Sequence, residues 1–373
     1  GGTAGGPILK NRLFVFGAYE GLREQIATSS LQVSETQAFR DFVVNTRPNS
    51  VAATLLTQFE PFNYPTLNLV DLGSPAPGVF NWNATPDGIP DLGQVPLTDP
   101  IRRRGTKVNG RVDYHFPNGN DRVFASYWYS KPNWQNPALR RAFQGNVYNR
   151  TQSFSVAHTR SFSPQTFNEA HVGVHDILYE NLHSGAYHVP GVSTDDGFST
   201  GNFGWSMEYF GVKGLEIRDV FSLNRGRHNI RMGVNFRRSA IDFASLLPND
   251  SPAYSFASIL DFADDEPYME QRAVEVGTGN AALRPLYMIS QDLSLFFQNT
   301  WQIQPNLTLN YGLRWEAFYN NRLGRDRNNW QPIISSDQIL SPSAIPNVTN
   351  VKVDRFYDTD WNNFGPRVGF AWD

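Results

Sequence analysis

The chain has 373 residues, of which 18% are charged and 14% are aromatic, with a formal net charge of −3 and no cysteine. The balanced charge excludes the strongly basic surface of nucleic-acid-binding proteins, and the lack of cysteine excludes disulfides, thiolate metal sites and cysteine nucleophiles. The sequence has no run of 18 apolar residues, which excludes a transmembrane helix.

Alternation of apolar and polar residues is the main pattern along the chain, and it predicts β-strands. In the segment 107–116, for example, Val108, Val112 and Tyr114 fall on one face of a strand and the polar residues between them fall on the other. The runs reach the roughly 9 to 11 residues that a tilted strand needs to cross a bilayer. Ten strands are predicted in all, at residues 13–19, 105–116, 122–130, 151–162, 166–180, 214–224, 228–243, 286–303, 307–319 and 366–373.

The connections between these strands alternate between very short and very long. Short connections lie at residues 117–121, 163–165, 225–227 and 304–306, and long ones at 21–104, 131–149, 181–213, 244–285 and 321–362. Short helices are predicted in the first long loop from Ser34 and from Ser50, and a helical turn after Tyr254, as parts of loops rather than as a separate domain. The pattern predicts an all-β, antiparallel transmembrane β-barrel with short periplasmic turns and long extracellular loops.

A large soluble β-sandwich or propeller is the alternative that the alternation alone leaves open. In such a fold the apolar face would be buried, so that Val234, Phe236, Leu309 and Tyr311 would pack together in a closed core. In a transmembrane barrel the same face is turned outward to lipid.

Sequence segments along nearly the whole chain resemble those of a known family. The following segments are similar, in order, to the barrel of TonB-dependent receptors, especially the Oar-like group: GGTAGGPILKNRLFVFGAYEG (1–21), RVDYHFPNGNDRVFASY (111–127), SFSVAHTRSFSPQTFNEAHVG (153–173), NRGRHNIRMGVNFRR (224–238), SLFFQNTWQIQPNLTLNYGLRWE (294–316) and NNFGPRVGFAWD (362–373). The resemblance implies a barrel of roughly 22 strands around a plug domain. Residues 1–373 are therefore expected to be a partial outer-membrane barrel, without plug or signal peptide.

The resemblance implies energy-coupled uptake of a scarce nutrient, such as a metal chelate, an oligosaccharide or a peptide, across the outer membrane of a Gram-negative-type bacterium. A passive porin or a surface-adhesion barrel is the alternative, and a plug with a TonB-contacting segment in the parent protein would separate the two. The expected partners are outer-membrane lipid and lipopolysaccharide, the plug of the same parent protein, and the TonB complex through the N-terminal region. No catalytic motif is found, so neither enzymatic activity nor a cofactor is expected.

Two sets of strand residues are candidates for functional contacts. The polar side chains expected to line the lumen and contact the plug are Lys107, Arg111, Asp113, Arg231, Asn235, Arg314 and Glu316. The aromatic residues expected in a girdle at the membrane interface are Tyr127, Trp128, Tyr129, Trp301, Trp315 and Tyr319. Loop aromatics are freer to stack on a sugar or peptide, although no spacing singles them out: Trp82, Phe203, Trp205, Tyr209 and Phe210.

Three groups of polar residues raise the question of ions. His171 and His175 share a strand face but are separated by roughly 13 Å, too far to share one metal ion, and the adjoining loop adds His183 and His188. Two acidic groups invite a calcium hypothesis without the spacing of a calcium loop: Asp264, Asp265 and Glu266, and Asp354, Asp358 and Asp360. Arg102, Arg103 and Arg104 precede the second predicted strand, where they either contact the phosphates of lipopolysaccharide or form a solvated strand end.

Overall fold

The fold is described from a computed structural model. It describes residues 1–27, 29–73, 85–183, 189–200, 207–244, 252–272, 280, 286–323, 330–333, 349–352 and 357–372.

One eleven-stranded antiparallel sheet, which we call the wall, dominates the structure. Its strands are β1 (Gly2–Leu9), β2 (Leu13–Ile26), β3 (Ile101–His115), β4 (Asp121–Asn136), β5 (Gly145–Ser163), β6 (Thr166–His183), β7 (Met207–Arg225), β8 (His228–Ala244), β9 (Leu286–Gln304), β10 (Leu307–Leu323) and β11 (Asp360–Trp372). Each strand pairs with the next one along the chain, so the wall is an up-and-down meander. It is open, with β1 and β11 at its two edges.

The predicted antiparallel architecture of about ten strands is confirmed, with one additional strand. All ten predicted strands are present, and the additional strand is β1, whose sequence GTAGGPIL has too few side chains to alternate. Most strands are longer than predicted, and β5, β7 and β9 each reach 19 residues. The extra length lies mainly at the end of the wall that carries the long connections, where the alternation of apolar and polar residues is less regular.

Tight turns connect the strands at the opposite end of the wall. The connections at 164–165, 226–227 and 305–306 have two residues each, and Gly226 adopts a positive φ of 60° that a tight hairpin requires. We call this the short-turn end and the other the long-loop end. The predicted division between short and long connections is confirmed, although the second long connection shrinks to residues 137–144 because β4 and β5 extend into it.

The register gives the wall one polar and one apolar face. Residues directly opposite each other in an antiparallel pair point to the same side, so a face can be followed from strand to strand. Arg111, for example, lies opposite Phe16 of β2 and Ser126 of β4, whereas Val112 lies opposite Val15 and Ala125. We call the side of Arg111 the polar face and the side of Val112 the apolar face.

A close backbone approach occurs on the polar face of β8. A Cβ atom at Gly233 would lie 2.5 Å from the ring of Phe296 and 2.6 Å from the backbone oxygen of Asp219. The aromatic ring therefore covers the glycine, and a larger residue would strike the backbone of the neighbouring strand.

The hydrophobic core lies in the loops rather than in the wall. Helices α1 (Gln37–Thr46) and α2 (Val51–Gln58) belong to the first long connection, and α3 (Ile259–Ala263) to the fourth. The hydroxyls of Thr36, Ser50 and Ser258 accept backbone N–H bonds and cap the three helices. The second predicted helix start is confirmed, and the first helix begins after Thr36, two residues later than its predicted Ser34 cap.

Short strands complete the loop structure at the long-loop end. Residues Ser30–Glu35, Leu92–Leu97 and Leu67–Val70 form one small sheet, and Gly191–Thr194, Ala253–Phe256 and Met269–Gln271 form another. In the second of these sheets, Gly191–Thr194 and Ala253–Phe256 pair in parallel, which joins the third and fourth long connections. Within the described residues, no helix is both long and apolar enough to span a membrane.

Candidate functional site

The register brings all seven predicted lumen residues to the polar face. Arg111 lies opposite Ser126 of β4, and Ser126 lies opposite Ser155 of β5, with the two hydroxyls 2.8 Å apart. The same cross-strand row continues from Ser155 to the polar face of β6 and β7. The same row continues to Arg237 of β8, two residues from Asn235. The seven residues are distributed over β3, β8 and β10 and form one continuous surface rather than a single pocket.

Ion pairs between strand neighbours cover much of the polar face. Arg111 forms two hydrogen bonds with Asp113, at 2.7 and 2.6 Å, while its guanidinium lies 4.3 Å from the centre of the Phe124 ring. Arg314 donates to Glu316 at 2.7 Å, and Lys107 lies 3.5 Å from Glu20. Three further pairs lie on the same face, namely Arg103–Glu24, Arg218–Glu169 and Arg237–Asp292. Such exposed pairs contribute little stability but order the charges of a wet surface.

Positive charge remains on the polar face after these pairs are made. Within the described residues, Arg122, Arg231 and Arg367 have no ion-pair partner. Arg367 borders a depression of about 420 Å³ whose floor includes Gly312, Gly365 and Gly369. The polar face therefore carries an excess of cationic groups.

Large apolar side chains cover the other face and remain exposed. Phe154 is 46% exposed, Val172 46% and Leu313 45%, although each lies in a central strand of the wall. None of Val234, Phe236, Leu309 and Tyr311 is buried, so the closed core of a soluble sandwich is absent from the described wall. An exposed apolar surface of this extent needs an apolar environment.

The long connections assemble into one body with a shared core, which we call the loop assembly. Its buried residues come from the first, third and fourth connections and include Phe39, Val43, Leu56, Leu92, Val192, Phe198, Phe256, Ile259, Leu260 and Phe262. The sequence predicts these helices as parts of loops rather than as a separate domain, and it gives no signal of their shared core. The helices are short, all five residues of α3 are buried, and apolar side chains of all three helices belong to the shared core.

Arg140, in the second connection, ties the loop assembly together. It is 2% exposed and forms an ion pair with Glu35, whose side chain is fully buried. The same guanidinium donates to the backbone oxygens of Phe59 at 2.7 Å and Ser199 at 3.3 Å, and lies 5.6 Å from the ring centre of Phe198. One side chain thus holds three connections, a role that no local sequence signal indicates.

Asp91 is a second buried acid in the loop assembly. It is 3% exposed, and its carboxylate accepts the N–H of Leu72 at 2.6 Å. Burial raises the pKa of Asp91 to about 6, the bond from Leu72 opposes the shift, and the carboxylates of Asp71 and Asp87 add to it. At neutral pH this region therefore holds three carboxylates close together.

The comparison with protein families identifies the whole chain. The family model described as "Outer membrane beta barrel domain" matches residues 1–373. The chain belongs to this family. Its location is therefore the outer membrane.

Solved outer-membrane proteins resemble this barrel domain at low identity. YddB from Escherichia coli, described as an outer membrane transporter, is 10% identical with a TM-score of 0.44, over 86% of this chain and 34% of its own. The FrpB iron transporter from Neisseria meningitidis is 10% identical with a TM-score of 0.44, over 98% and 39%. The siderophore receptor PiuA from Acinetobacter baumannii is 10% identical with a TM-score of 0.41, over 99% and 44%. This barrel domain spans less than half of each of these chains, and no curated protein matches its sequence.

The predicted girdle aromatics divide between the two faces of the barrel wall. Tyr127 and Tyr129 lie on the apolar face, but Trp128 points to the polar face between them, so its assignment to the girdle is wrong. Trp301 lies on the apolar face near the short-turn end and stacks on His228 at 5.3 Å.

The other two girdle candidates meet near the long-loop end. Trp315 stacks on Trp361 at 6.1 Å and donates to its backbone oxygen at 2.8 Å, and Tyr319 meets the same ring edge-on at 5.4 Å. Aromatic clusters thus lie at two heights on this part of the wall. Their position at the membrane interface stays a prediction.

The first acidic group has a structural role in the loop assembly. Asp264 forms an ion pair with Arg47, and the carboxylate of Asp265 accepts the N–H groups of Val51 and Ala52 at 2.7 and 3.0 Å. The bonds to Asp265 cap α2 from another connection and occupy both of its carboxylate oxygens, while the ion pair occupies one oxygen of Asp264. Within the described residues, no group of three or more His, Asp or Glu side chains could hold a metal ion.

The structure places several of the remaining candidates in elements other than the predicted ones. On the polar face of β6, the ring of His171 lies against Gly173, and the ring of His175 covers Gly214 of β7. Two loop aromatics lie instead in wall strand β7, namely Tyr209 and Phe210, and Asp360 begins β11. Four further candidates lie outside the described residues: Trp82, His188, Phe203 and Trp205, as does Asp354 of the second acidic group.

The arginine triplet lies inside β3, so its placement before the strand is wrong. Alternation splits it between the two faces. Arg103 points to the polar face and pairs with Glu24 at 3.6 Å, whereas Arg102 and Arg104 point to the apolar side and are exposed.

Proposed function

We propose that this barrel domain is part of the wall of a TonB-dependent outer-membrane transporter of the Oar-like group. The transporter takes up a scarce nutrient such as a metal chelate, an oligosaccharide or a peptide. The observation that carries the proposal is that six ion pairs of the eleven-stranded wall lie on one face, whereas large exposed apolar side chains such as Phe154, Val172 and Leu313 lie on the other. The segments that resemble the Oar-like group lie in order along the chain, and they favour a transporter over other outer-membrane barrels.

In this proposal the polar face lines the wet interior of the barrel and contacts the plug domain of the parent protein. The excess positive charge at Arg122, Arg231 and Arg367 supports this partner, because a plug can supply carboxylates where the wall has none within reach. TonB acts on the parent protein through its N-terminal region. The loop assembly, at the long-loop end of the wall, receives the nutrient from outside the cell.

Spin labels on the intact parent protein test the orientation of the two faces. This chain has no cysteine, so it contributes no background reaction to single labels introduced in it. Labels at Arg231 and Arg314 should be reached by water-soluble relaxing agents, whereas labels at the adjacent Met232 and Leu313 should be reached by oxygen dissolved in lipid. Lipid exposure of the two arginine positions would contradict the proposal.

An uptake experiment separates the transporter from a passive porin. Cells with and without the parent gene are grown on limiting amounts of candidate nutrients, and uptake is measured before and after the proton gradient is dissipated. A TonB-dependent transporter loses uptake with the gradient, whereas diffusion through a porin continues. Uptake that depends on the gene but not on the gradient would refute energy coupling.

A further inference from the structure

A cluster of cations lies on the apolar side of β2, β3 and β4, toward the long-loop end. Arg23 is directly opposite Arg104, and Arg102 lies two residues farther along β3 on the same side. Lys131 of β4 is opposite Thr106, next to Arg104 on this side. All four cationic side chains are exposed, and we call them the outer cation cluster.

The outer cation cluster lacks the acidic partners that cations on the polar face have. Like charges directly opposite each other in a sheet destabilise the pair. The acids of β2, Glu20 and Glu24, point to the polar face, where they pair with Lys107 and Arg103. Among the described residues, no member of the cluster forms an ion pair. An anion from outside the chain would remove this repulsion.

Local geometry holds two of the arginines together. The guanidinium of Arg23 donates to the backbone oxygen of Leu22 at 2.6 Å and to that of Gly105 at 3.1 Å, which places it over β3 beside Arg104. A depression of about 260 Å³ is lined by Arg23, Gln25, Arg102 and Arg104, and also by Glu24 and Arg103, which pair with each other on the polar face. Adjacent guanidinium groups can bind a phosphate in the forked geometry that favours arginine over lysine.

The height of the cluster fits the headgroup layer of a membrane. Tyr19, Val108 and Tyr129 form a row on the apolar face, and the Arg23–Arg104 pair lies four residues farther along the strands. Four residues span roughly 13 Å along a strand, or about 10 Å in height at the usual tilt of barrel strands. The headgroup region begins where the hydrocarbon ends and is about 5 to 8 Å thick on each side. Flexible cationic side chains reach across that distance.

We propose that Arg23, Arg102, Arg104 and Lys131 bind the phosphate groups of an outer-leaflet lipid. The inference rests on the proposed orientation of the apolar face toward lipid. It adds a defined lipid site to that orientation. The lipid's acyl chains lie along the row of Tyr19, and its phosphates lie between the arginines.

Binding of a diphosphorylated lipid to the purified parent protein tests the site. The probe is diphosphorylated lipid A in detergent, and retained lipid is counted by native mass spectrometry. The variant Arg102→Gln/Arg104→Gln removes two outward cations, whereas the control Arg218→Gln/Arg237→Gln removes two cations of the wall that point to the polar face. We expect the outward variant to weaken binding about tenfold or more, because each charge-assisted contact contributes on that order, and the control to bind as the unmodified protein does.

Equal binding by the two variants would overturn the site. Inorganic phosphate that displaces the lipid at similar concentration would also overturn it, because the site would then bind free phosphate rather than a lipid. Lipid exposure of a spin label at Val112, measured in the same protein, tests the orientation of the apolar face independently of lipid binding at the site. Lipid exposure at Val112 with equal lipid binding defeats only the site, whereas water exposure at Val112 defeats the proposed function.

Discussion

Replacement of Arg140 by methionine should open the loop assembly without unfolding the wall. Arg140 is 2% exposed, and its loss leaves the carboxylate of Glu35, which is fully buried, with the hydroxyl of Ser34 at 2.7 Å as its remaining hydrogen-bond donor. The bonds to Phe59 and Ser199 are lost as well. Removing one partner of a buried ion pair costs about 3 to 5 kcal/mol, because an uncompensated charge stays behind.

That free energy corresponds to an increase of roughly 150- to 4000-fold in the open population of the loop assembly. Hydrogen exchange of α1 and α2 in the intact protein measures it, because these helices lie beside the buried pair. The adjacent and exposed Arg141→Met serves as the control and should leave exchange unchanged. The double variant Glu35→Leu/Arg140→Met should recover most of the protection, since apolar residues can replace a buried ion pair. Unchanged protection in Arg140→Met would refute the role of this residue.

Three further predictions concern the wall and the loop assembly. Leu295→Arg should lower the unfolding free energy in lipid by about 2 to 4 kcal/mol, whereas Ser294→Arg on the polar face should be tolerated, and equal costs in a urea titration would contradict the assignment of faces. Gly233→Ala should cost about 1 to 3 kcal/mol in the same titration because its Cβ meets the neighbouring backbone, whereas Gly110→Ala, with nothing within 4 Å, should cost little. The raised pKa of Asp91 means that the folded loop binds this proton more tightly than the unfolded chain, so the loop should lose stability as the pH rises from about 4 to about 6. Exchange rates corrected for intrinsic pH dependence measure the loss, and a slope that persists in Asp91→Asn would assign it to another group.

The wall could be predicted from the sequence because one rule governs each strand independently. Where side chains alternate, as at Val108 to Tyr114, the two faces follow directly from the pleat. The rule fails in two places. In β1 the glycines remove the pattern. At Arg102 to Arg104 both faces are polar, so the predicted strand begins four residues too late.

The loop assembly could not be predicted because its contacts are distant in sequence. Glu35 and Arg140 are 105 residues apart, and neither stands in a pattern that marks a buried charge. The acidic group at Asp264 and Asp265 was read as a possible ion site, since its nearby oxygens are visible in the sequence. The partners that use them, such as the N-terminus of α2, are more than 200 residues away.

The wall is taller than the bilayer is thick. A strand of 19 residues measures about 63 Å, which the usual tilt converts to a height of about 48 Å, whereas the lipid-facing band of an outer-membrane barrel is about 25 Å. The charged Asp176 and Lys213 on the apolar side place the excess at the long-loop end. There the hydrogen bonds between strands satisfy the backbone N–H and C=O groups, so the strands form a stiff collar about 20 Å high. In the proposed transporter, a solute therefore meets the loop assembly about 20 Å beyond the lipid-facing band.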